Sequence, residues 1–497
     1  MKRFWLVLLS LGLVMAFSVS AFAVDVKVGA EYYVGGLYLN KIAVDDGFQN
    51  FQGRTGSENP STAFFYQRLR VGTDFVVSPC LKLVTQFDAM ERIWGGTRSN
   101  TWQVNQNYMF DESAGTRAET ENIAFRLAYI DYTSPIGLFK VGYMEDYTFG
   151  TAWGDRGSGV PAGQIQYFMQ SGPFVGFAGY AKETDNSYSA VSSNSWNGIN
   201  RLNASRTDRD LDSYRIAGIY NFKGGETGLL FLWNRDATQR GDASYGLFPF
   251  YGPHLSNVYL LDPYVKAKIG PVALQAELLW FTGDAAKYEG YTGYSTITVN
   301  HLSAFVDATA NFGMFYAGGS VAYVQGQNPN DIGNKVEGDV APLSGGLDWN
   351  PCLIMFNTQT LGYWVGGVKG HSAGYTPGSA FVNPVDGEMM NAWFGQLRGG
   401  IKPTPQLDIM ASISYAQADQ NGFILTSPTT TATFPGKTYG TEIDVTGTYK
   451  ITNNLSYMLG GGYFFTGDYF KGLSTAFAGG SKVTDDFILI NKLTLSF

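Results

Sequence analysis

Charge, histidine and cysteine are all sparse in this sequence, and each scarcity removes a class of function. Charged residues make up 15% of the 497, with 34 Lys plus Arg against 42 Asp plus Glu. Without a basic excess the chain has no electrostatic footprint for nucleic acid. There are 3 histidines (His254, His301 and His371) and 2 cysteines (Cys80 and Cys352). No H-E-x-x-H or Cys-x-x-Cys motif occurs, so the common zinc-protease and dithiol signatures are missing. Past residue 23 no apolar run approaches the ~18 residues that a membrane helix needs. Any membrane the chain enters beyond that point is crossed by strands.

What is present begins with Met1–Ala23. Lys2 and Arg3 form a basic start, Phe4–Phe17 an apolar stretch and Ala21-Phe22-Ala23 a small-x-small cleavage site. These are the parts of a secretory signal peptide. The mature chain is expected to begin at Val24, and losing Lys2 and Arg3 takes the formal charge from −8 to −10. Residues 24–497 contain no linker or shift in composition and read as one domain. Aromatics reach 15%, Gly numbers 62 and mean hydropathy is −0.09. A helical membrane protein would be far more apolar. A membrane barrel averages near zero because lipid-facing and lumen-facing residues alternate.

Period-two alternation, the mark of strands, recurs from Val26 onward. Strands are predicted at 26–39, 62–77, 81–92, 120–133, 138–148, 161–171, 174–183, 209–222 and 226–236. The second half adds 257–269, 271–282, 297–312, 313–326, 389–402, 406–419, 438–452, 455–468 and 485–497. The even count of eighteen (sixteen to twenty fit the same pattern) returns the chain to the side where it started, as closure requires. Short connections such as Ser78-Pro79-Cys80, Gly172-Pro173 and Asn453-Asn454 carry tight-turn residues. They alternate with long ones, the longest being 327–388. In the second predicted strand Phe65, Leu69, Val71, Phe75 and Val77 oppose Tyr66, Arg68, Arg70 and Asp74. In the eleventh, Leu274, Ala276, Leu278 and Trp280 oppose Gln275 and Glu277. Tyr32, Tyr132, Tyr147, Phe149, Phe281, Tyr449 and Phe465 sit near strand ends, where interfacial aromatics belong.

Asp486–Phe497 reads D-F-I-L-I-N-K-L-T-L-S-F, a period-two strand running to the final aromatic. It resembles the closing strand of Gram-negative outer-membrane β-barrels of the porin type. That resemblance implies an all-β, up-and-down antiparallel transmembrane barrel with long extracellular loops and short periplasmic turns. It further implies a place in the bacterial outer membrane, among its lipid and lipopolysaccharide. Phe497 is then the signal read by the barrel-assembly machinery, and a homo-trimer is one expected assembly. The strand count, the length and the mid-height arginines also resemble the alginate-export family, whose conduit is positively charged.

On this parity the inward bases are Arg68, Arg70, Arg126, Lys140, Arg215, Lys266, Lys268 and Arg398. The inward acids are Glu277, Asp307, Glu442 and Asp444. A basic arc facing a more acidic arc sets a transverse field that sorts ions by sign. The bland reading is cross-strand pairing that stiffens the wall. Loop 327–388 contains Trp349-Asn350-Pro351-Cys352-Leu353-Ile354-Met355-Phe356, too apolar for water. This run is expected to fold inward as a lid or constriction, the alternative being an added hairpin that makes twenty strands. The Gly-rich segment Gly150–Gly163 reads as a constriction or strand cap. Asn328, Asn330, Asp331, Glu337 and Asp339 offer oxygen ligands in the calcium style but no fixed loop pattern. Cys80 belongs to a periplasmic turn and Cys352 to an extracellular loop, ~25 Å of membrane band apart, so a disulfide is not expected. His301, Ser303 and Asp307 share a face, yet a hydrogen-bonded wall histidine is the expected role.

The expected function is a porin-like channel for passive diffusion of small hydrophilic solutes or ions, with no cofactor, metal or catalysis. With no plug domain ahead of the first strand, active receptor-type uptake is not expected. The rivals are a conduit for an anionic saccharide and a structural or adhesive barrel with a plugged lumen.

Overall fold

The computed structural model describes residues 24–44, 59–95, 123–145, 148–155, 161–185, 208–240, 253–289, 295–331, 333–338, 346, 348–368, 387–427, 430–433, 436–471 and 483–497. The leader 1–23, Tyr147, Asp339 and His371 lie outside these residues.

Eighteen strands form the wall: β1 (Asp25–Leu39), β2 (Thr62–Ser78), β3 (Leu81–Ile93), β4 (Ile123–Ser134), β5 (Gly137–Met144) and β6 (Ala162–Ser171). β7 (Phe174–Thr184), β8 (Leu211–Phe222), β9 (Gly225–Asp236), β10 (His254–Ile269), β11 (Val272–Tyr288) and β12 (Ile297–Phe312) follow. β13 (Phe315–Val324), β14 (Ala392–Thr404), β15 (Leu407–Ala418), β16 (Thr438–Lys450), β17 (Leu455–Thr466) and β18 (Asp486–Ser496) complete it. Each strand pairs antiparallel with the next. β18 returns to β1 from Glu31↔Ser496 to Leu39↔Ile488, so the sheet has no free edge. Closure continues past the strand, where Ala30 and Phe497 exchange backbone hydrogen bonds of 2.9 and 3.0 Å. In hydrocarbon this matters because no water is present to satisfy an open edge. Lys335–Val336 lies parallel to Thr298–Val299 of β12, and a hairpin of Phe423–Ser427 with Thr430–Thr433 stands in the β15–β16 loop. Neither widens the wall, so the twenty-strand alternative does not hold.

The alternation in sequence becomes the two faces of the wall, since successive side chains point to opposite sides. Phe65, Val77, Leu278, Trp280, Ile409, Ile413, Leu489 and Leu493 are exposed on the outside. Their strand neighbours Tyr66, Glu277, Leu279, Ser412, Ser414, Ile488 and Ile490 are buried inside. Tyr132, Tyr449 and Phe465 face outward as expected of interfacial aromatics. Phe281 and Phe149 do not. Phe281 has the inward parity of β11, and β5 stops at Met144 rather than 148, which sends Phe149 inward to meet Tyr264 edge-on at 5.0 Å. β10 and β11 run beyond their predicted ends, to His254 and Tyr288. There the polar residues break the alternation, but ladder hydrogen bonds do not depend on side-chain type.

The hydrophobic core sits inside the barrel. Among the described residues its connected cluster draws on β1, β2, β9–β18 and the inner loops, while β3–β7 add separate buried residues, Ala89, Leu127, Met144, Ala162 and Ala181.

Candidate functional site: two inner segments and a charged crescent

Two connections enter the lumen and are held there by buried carboxylates. The first, 148–155, leaves β5 and reaches β11 on another part of the wall. Glu277 accepts from the Thr151 and Gly154 amides at 2.9 and 3.0 Å, and from the Thr151 hydroxyl. Buried Asp262 of β10 adjoins the same carboxyl. The approach is close: a Cβ at Gly154 would lie 2.2 Å from Glu277 Oε1. Trp153 then lies flat on Phe305 of β12, centroids 5.4 Å apart.

The second segment, 346–368, joins the first. The Gly346 amide donates to the Trp153 carbonyl at 2.9 Å. Trp349 meets Trp153, Phe305 and Phe394 edge-on at 5.3, 4.9 and 5.4 Å. Cys352, Ile354, Met355 and Phe356 are buried and Leu353 is half-buried. Glu442 of β16 receives the Ile354 and Met355 amides at 2.6 and 2.7 Å, one on each carboxylate oxygen. Gln396 of β14 donates to the Pro351 carbonyl at 2.7 Å. The segment ends in a short helical stretch, Thr358–Gly362 and Tyr363–Val365. Asn357 caps it by accepting from the Thr360 and Leu361 amides. Trp364 closes the far side by stacking on Tyr66 of β2 at 4.7 Å.

Of the predicted bases, all but Lys268, which is exposed beside the β10–β11 turn, carry nearby partners. Arg70 makes a two-pronged bond to Asp88 at 2.7 Å on each arm. Arg68 lies 3.6 Å from Glu31 and 3.8 Å from Glu91, and Arg126 is 2.6 Å from Glu145. Arg215 is buried with Glu183 at 3.7 Å. Lys140 rests over the Tyr129 and Phe168 rings, and Lys266 is 3.4 Å from Glu226. Arg398 bridges to Asp307 at 2.7 Å, while Asp74 pairs with Lys82 rather than with an arginine. Of the predicted acids, Glu277, Glu442 and Asp444 are inward but roofed by the inner segments.

His301 Nδ1 lies 2.6 Å from the Glu337 carbonyl, and Asp307 is engaged by Arg398 and Ser320. The three residues thus do not form a nucleophile–base–acid chain, which needs each to hydrogen-bond the next. Asn328 bonds Asp331 and Glu337 pairs with Lys335, so these oxygens do not converge. Both cysteines are free thiols, Cys80 exposed and Cys352 buried. Burial, then the Glu442 and Asp444 carboxyls, push the Cys352 thiol well above its usual range. Sequence reasoning missed Thr151, Trp153, Asn357, Asp262 and Trp364. The Gly spacing around Trp153 was the only hint, because what each residue touches is far away in the chain.

A family model described as alginate export matches residues 366–477. No curated protein matches. Among solved structures, the chain is similar to OccK2 of Pseudomonas aeruginosa, at 11% identity and TM-score 0.45, over 95% of this chain and 98% of that one. The outer membrane channel DcaP of Acinetobacter baumannii gives 10%, 0.42, 96% and 99%. An anion-selective porin from Comamonas acidovorans gives 9%, 0.40, 95% and 99%. At such identities and scores these likenesses carry nothing about solute or mechanism. The chain's own geometry, a closed eighteen-strand wall with apolar side chains outside and a polar and packed interior, is that of an outer-membrane β-barrel.

Proposed function

We propose that the protein is a channel for passive movement of small hydrophilic solutes or ions, with the permeation route along the β2–β8 side of the lumen. One observation carries this reading: the packing inside the barrel is lopsided. Among the described residues the connected cluster of buried apolar side chains lies on β1, β2 and β9–β18, where the inner segments lie; on β3–β7 Ala89, Leu127, Met144, Ala162 and Ala181 are buried outside that cluster. The inward faces of β2–β6 carry Arg70, Asp88, Arg126, Lys140, Gln164 and Gln166, of which Asp88 and Gln164 are buried. Charged and amide side chains are costly to bury dry, so a wall of them favours water alongside. Mixed signs on that wall fit weak ion preference.

A second reading, a conduit for an anionic saccharide, is favoured by the partial alginate-export match and the arginines of the same crescent. The deciding experiment is reconstitution in planar bilayers with reversal potentials in a salt gradient, adding alginate oligomers to one side. Discrete steps insensitive to the oligomers support diffusion of small solutes. Block by micromolar oligomers supports the saccharide conduit, and absence of conductance sinks both in favour of a plugged barrel.

A further inference from the structure

Where the second inner segment meets the wall, three side chains that bind metals converge. The Cys352 thiol and the Glu442 and Asp444 carboxylates place one ligand atom each within 4.8 Å of one another. They are 2%, 0% and 3% exposed. Glu442 and Asp444 come from β16, two apart on its inward face, and Cys352 from the inner segment. The site therefore exists only when that segment is docked.

Asp444 supplies a second, independent indication. Both of its carboxylate oxygens are buried without a completed hydrogen bond. The Leu353 amide and the Glu442 carboxyl approach it without closing one. A buried carboxylate whose oxygens are not satisfied is costly. The surroundings also leave room for it: a Cβ on Gly462 of β17 would lie 2.3 Å from Asp444 Oδ1. The two oxygens of Glu442 already hold the Ile354 and Met355 amides, but a carboxylate has further lone pairs to offer.

We infer that Cys352, Glu442 and Asp444 bind a divalent cation of the zinc class, which fastens the inner segment to the barrel wall. One thiolate and two carboxylates form a donor set for a borderline cation rather than for calcium or magnesium, which take oxygen alone. Three protein ligands and a water give the usual four-coordinate zinc sphere, with bonds of ~2.0–2.3 Å that small side-chain rotations bring within reach. Binding displaces the thiol proton, and any proton the two carboxyls share, to solvent. It cross-links a loop to a strand some ninety positions away in sequence, and needs no assumption about what the lumen conducts.

The test uses the refolded barrel, stripped with chelator and then given zinc sulfate alone. Zinc retained after gel filtration is measured by mass spectrometry, affinity by calorimetry and melting with and without zinc. The expected result is one zinc per barrel, a melting temperature raised by zinc, and at least a tenfold loss of affinity in Cys352→Ser and in Asp444→Asn. Cys80→Ser keeps wild-type binding. The inference is overturned if stripped wild-type barrel retains no zinc, which leaves Glu442 and Asp444 sharing a proton instead. It is also overturned if Cys352→Ser binds zinc as tightly as wild type, or if calcium binds equally well. Should Asp444→Asn fail to give the heat-modifiable folded band, Cys352→Ser and the wild-type stoichiometry still decide.

Discussion

Trp153 and Phe305 lie face to face, 5.4 Å between ring centroids and 6° between planes, although one belongs to the β5–β6 connection and the other to β12. A stacked pair joining elements so far apart around the wall means that the connection crosses the interior. Its anchor is Glu277, just as Glu442 anchors the second segment. Two buried carboxylates, each capped by loop amides, therefore set the shape of the lumen.

Removing an anchor should open it. Glu442→Ala leaves the Ile354 and Met355 amides buried without acceptors, at ~1–3 kcal/mol each. We expect a lower melting temperature and larger, noisier single-channel steps than wild type. Quiet steps of wild-type size from a folded variant would mean that the segment stays in place without its anchor.

Glycine 154 should be as sensitive as the carboxylate that it serves. Gly154→Ala puts a methyl 2.2 Å from Glu277 Oε1, so either the carboxylate or the first segment must shift and the anchoring contact is disturbed. Quenching of Trp fluorescence by acrylamide should rise as Trp153 leaves Phe305. Unaltered quenching would show that the wall can give way.

The crescent arginines offer a test of ion preference. Replacing Arg68, Arg70, Arg126 and Arg215 by Gln leaves Glu91, Asp88, Glu145 and Glu183 without their partners. The wall becomes more negative, and reversal potentials should move toward cations. The shift should grow in dilute salt, since the Debye length goes from ~10 Å at 0.1 M to ~30 Å at 0.01 M. An unmoved potential together with a lowered melting temperature would assign these arginines to rigidity alone.

The two faces of the wall, on β11 and β15, predict opposite tolerance. A charge at Leu278 or Ile409 meets lipid and should cost ~2–4 kcal/mol near the midplane, whereas Gln275→Lys points into the barrel between Lys266 and Asp307. Urea unfolding in vesicles separates the two. Equal losses would contradict the parity of the strand.

At the loop end of the wall, acid should loosen one contact. A hydrogen bond from Arg240 holds Glu289 below the usual carboxylate range, with the pair at 2.6 Å. A depressed folded value means that the contribution is present above the unfolded pKa, ~4.3, and fades as pH falls through the lower folded value. Both groups are partly exposed, so the pair is worth only ~0–1 kcal/mol and is screened by salt. Glu289→Gln should flatten the acid limb of a melting curve slightly at low salt and not at high salt. An effect that persists in high salt would point to a different origin.

Most of the wall was legible in the sequence. Alternation identified the strands to within a few residues at most ends, because a wall between lipid and lumen imposes opposite chemistries on the two faces. The same parity put Arg70 and Glu442 inside and Leu278 outside, and the apolar run at Trp349–Phe356 announced that it would not stand in water. The tertiary structure alone decided what the inside does. That Phe149 turns in, that Trp153 finds Phe305, that Glu442 receives the amides of Ile354 and Met355 and that Cys352 meets Asp444 are contacts between positions from about ninety to over one hundred and fifty apart. Period-two patterning reports which face a side chain takes, through the local geometry of its own strand. It holds no record of which loop will cross the lumen to meet that face, since that depends on barrel closure and on packing between segments distant in the chain.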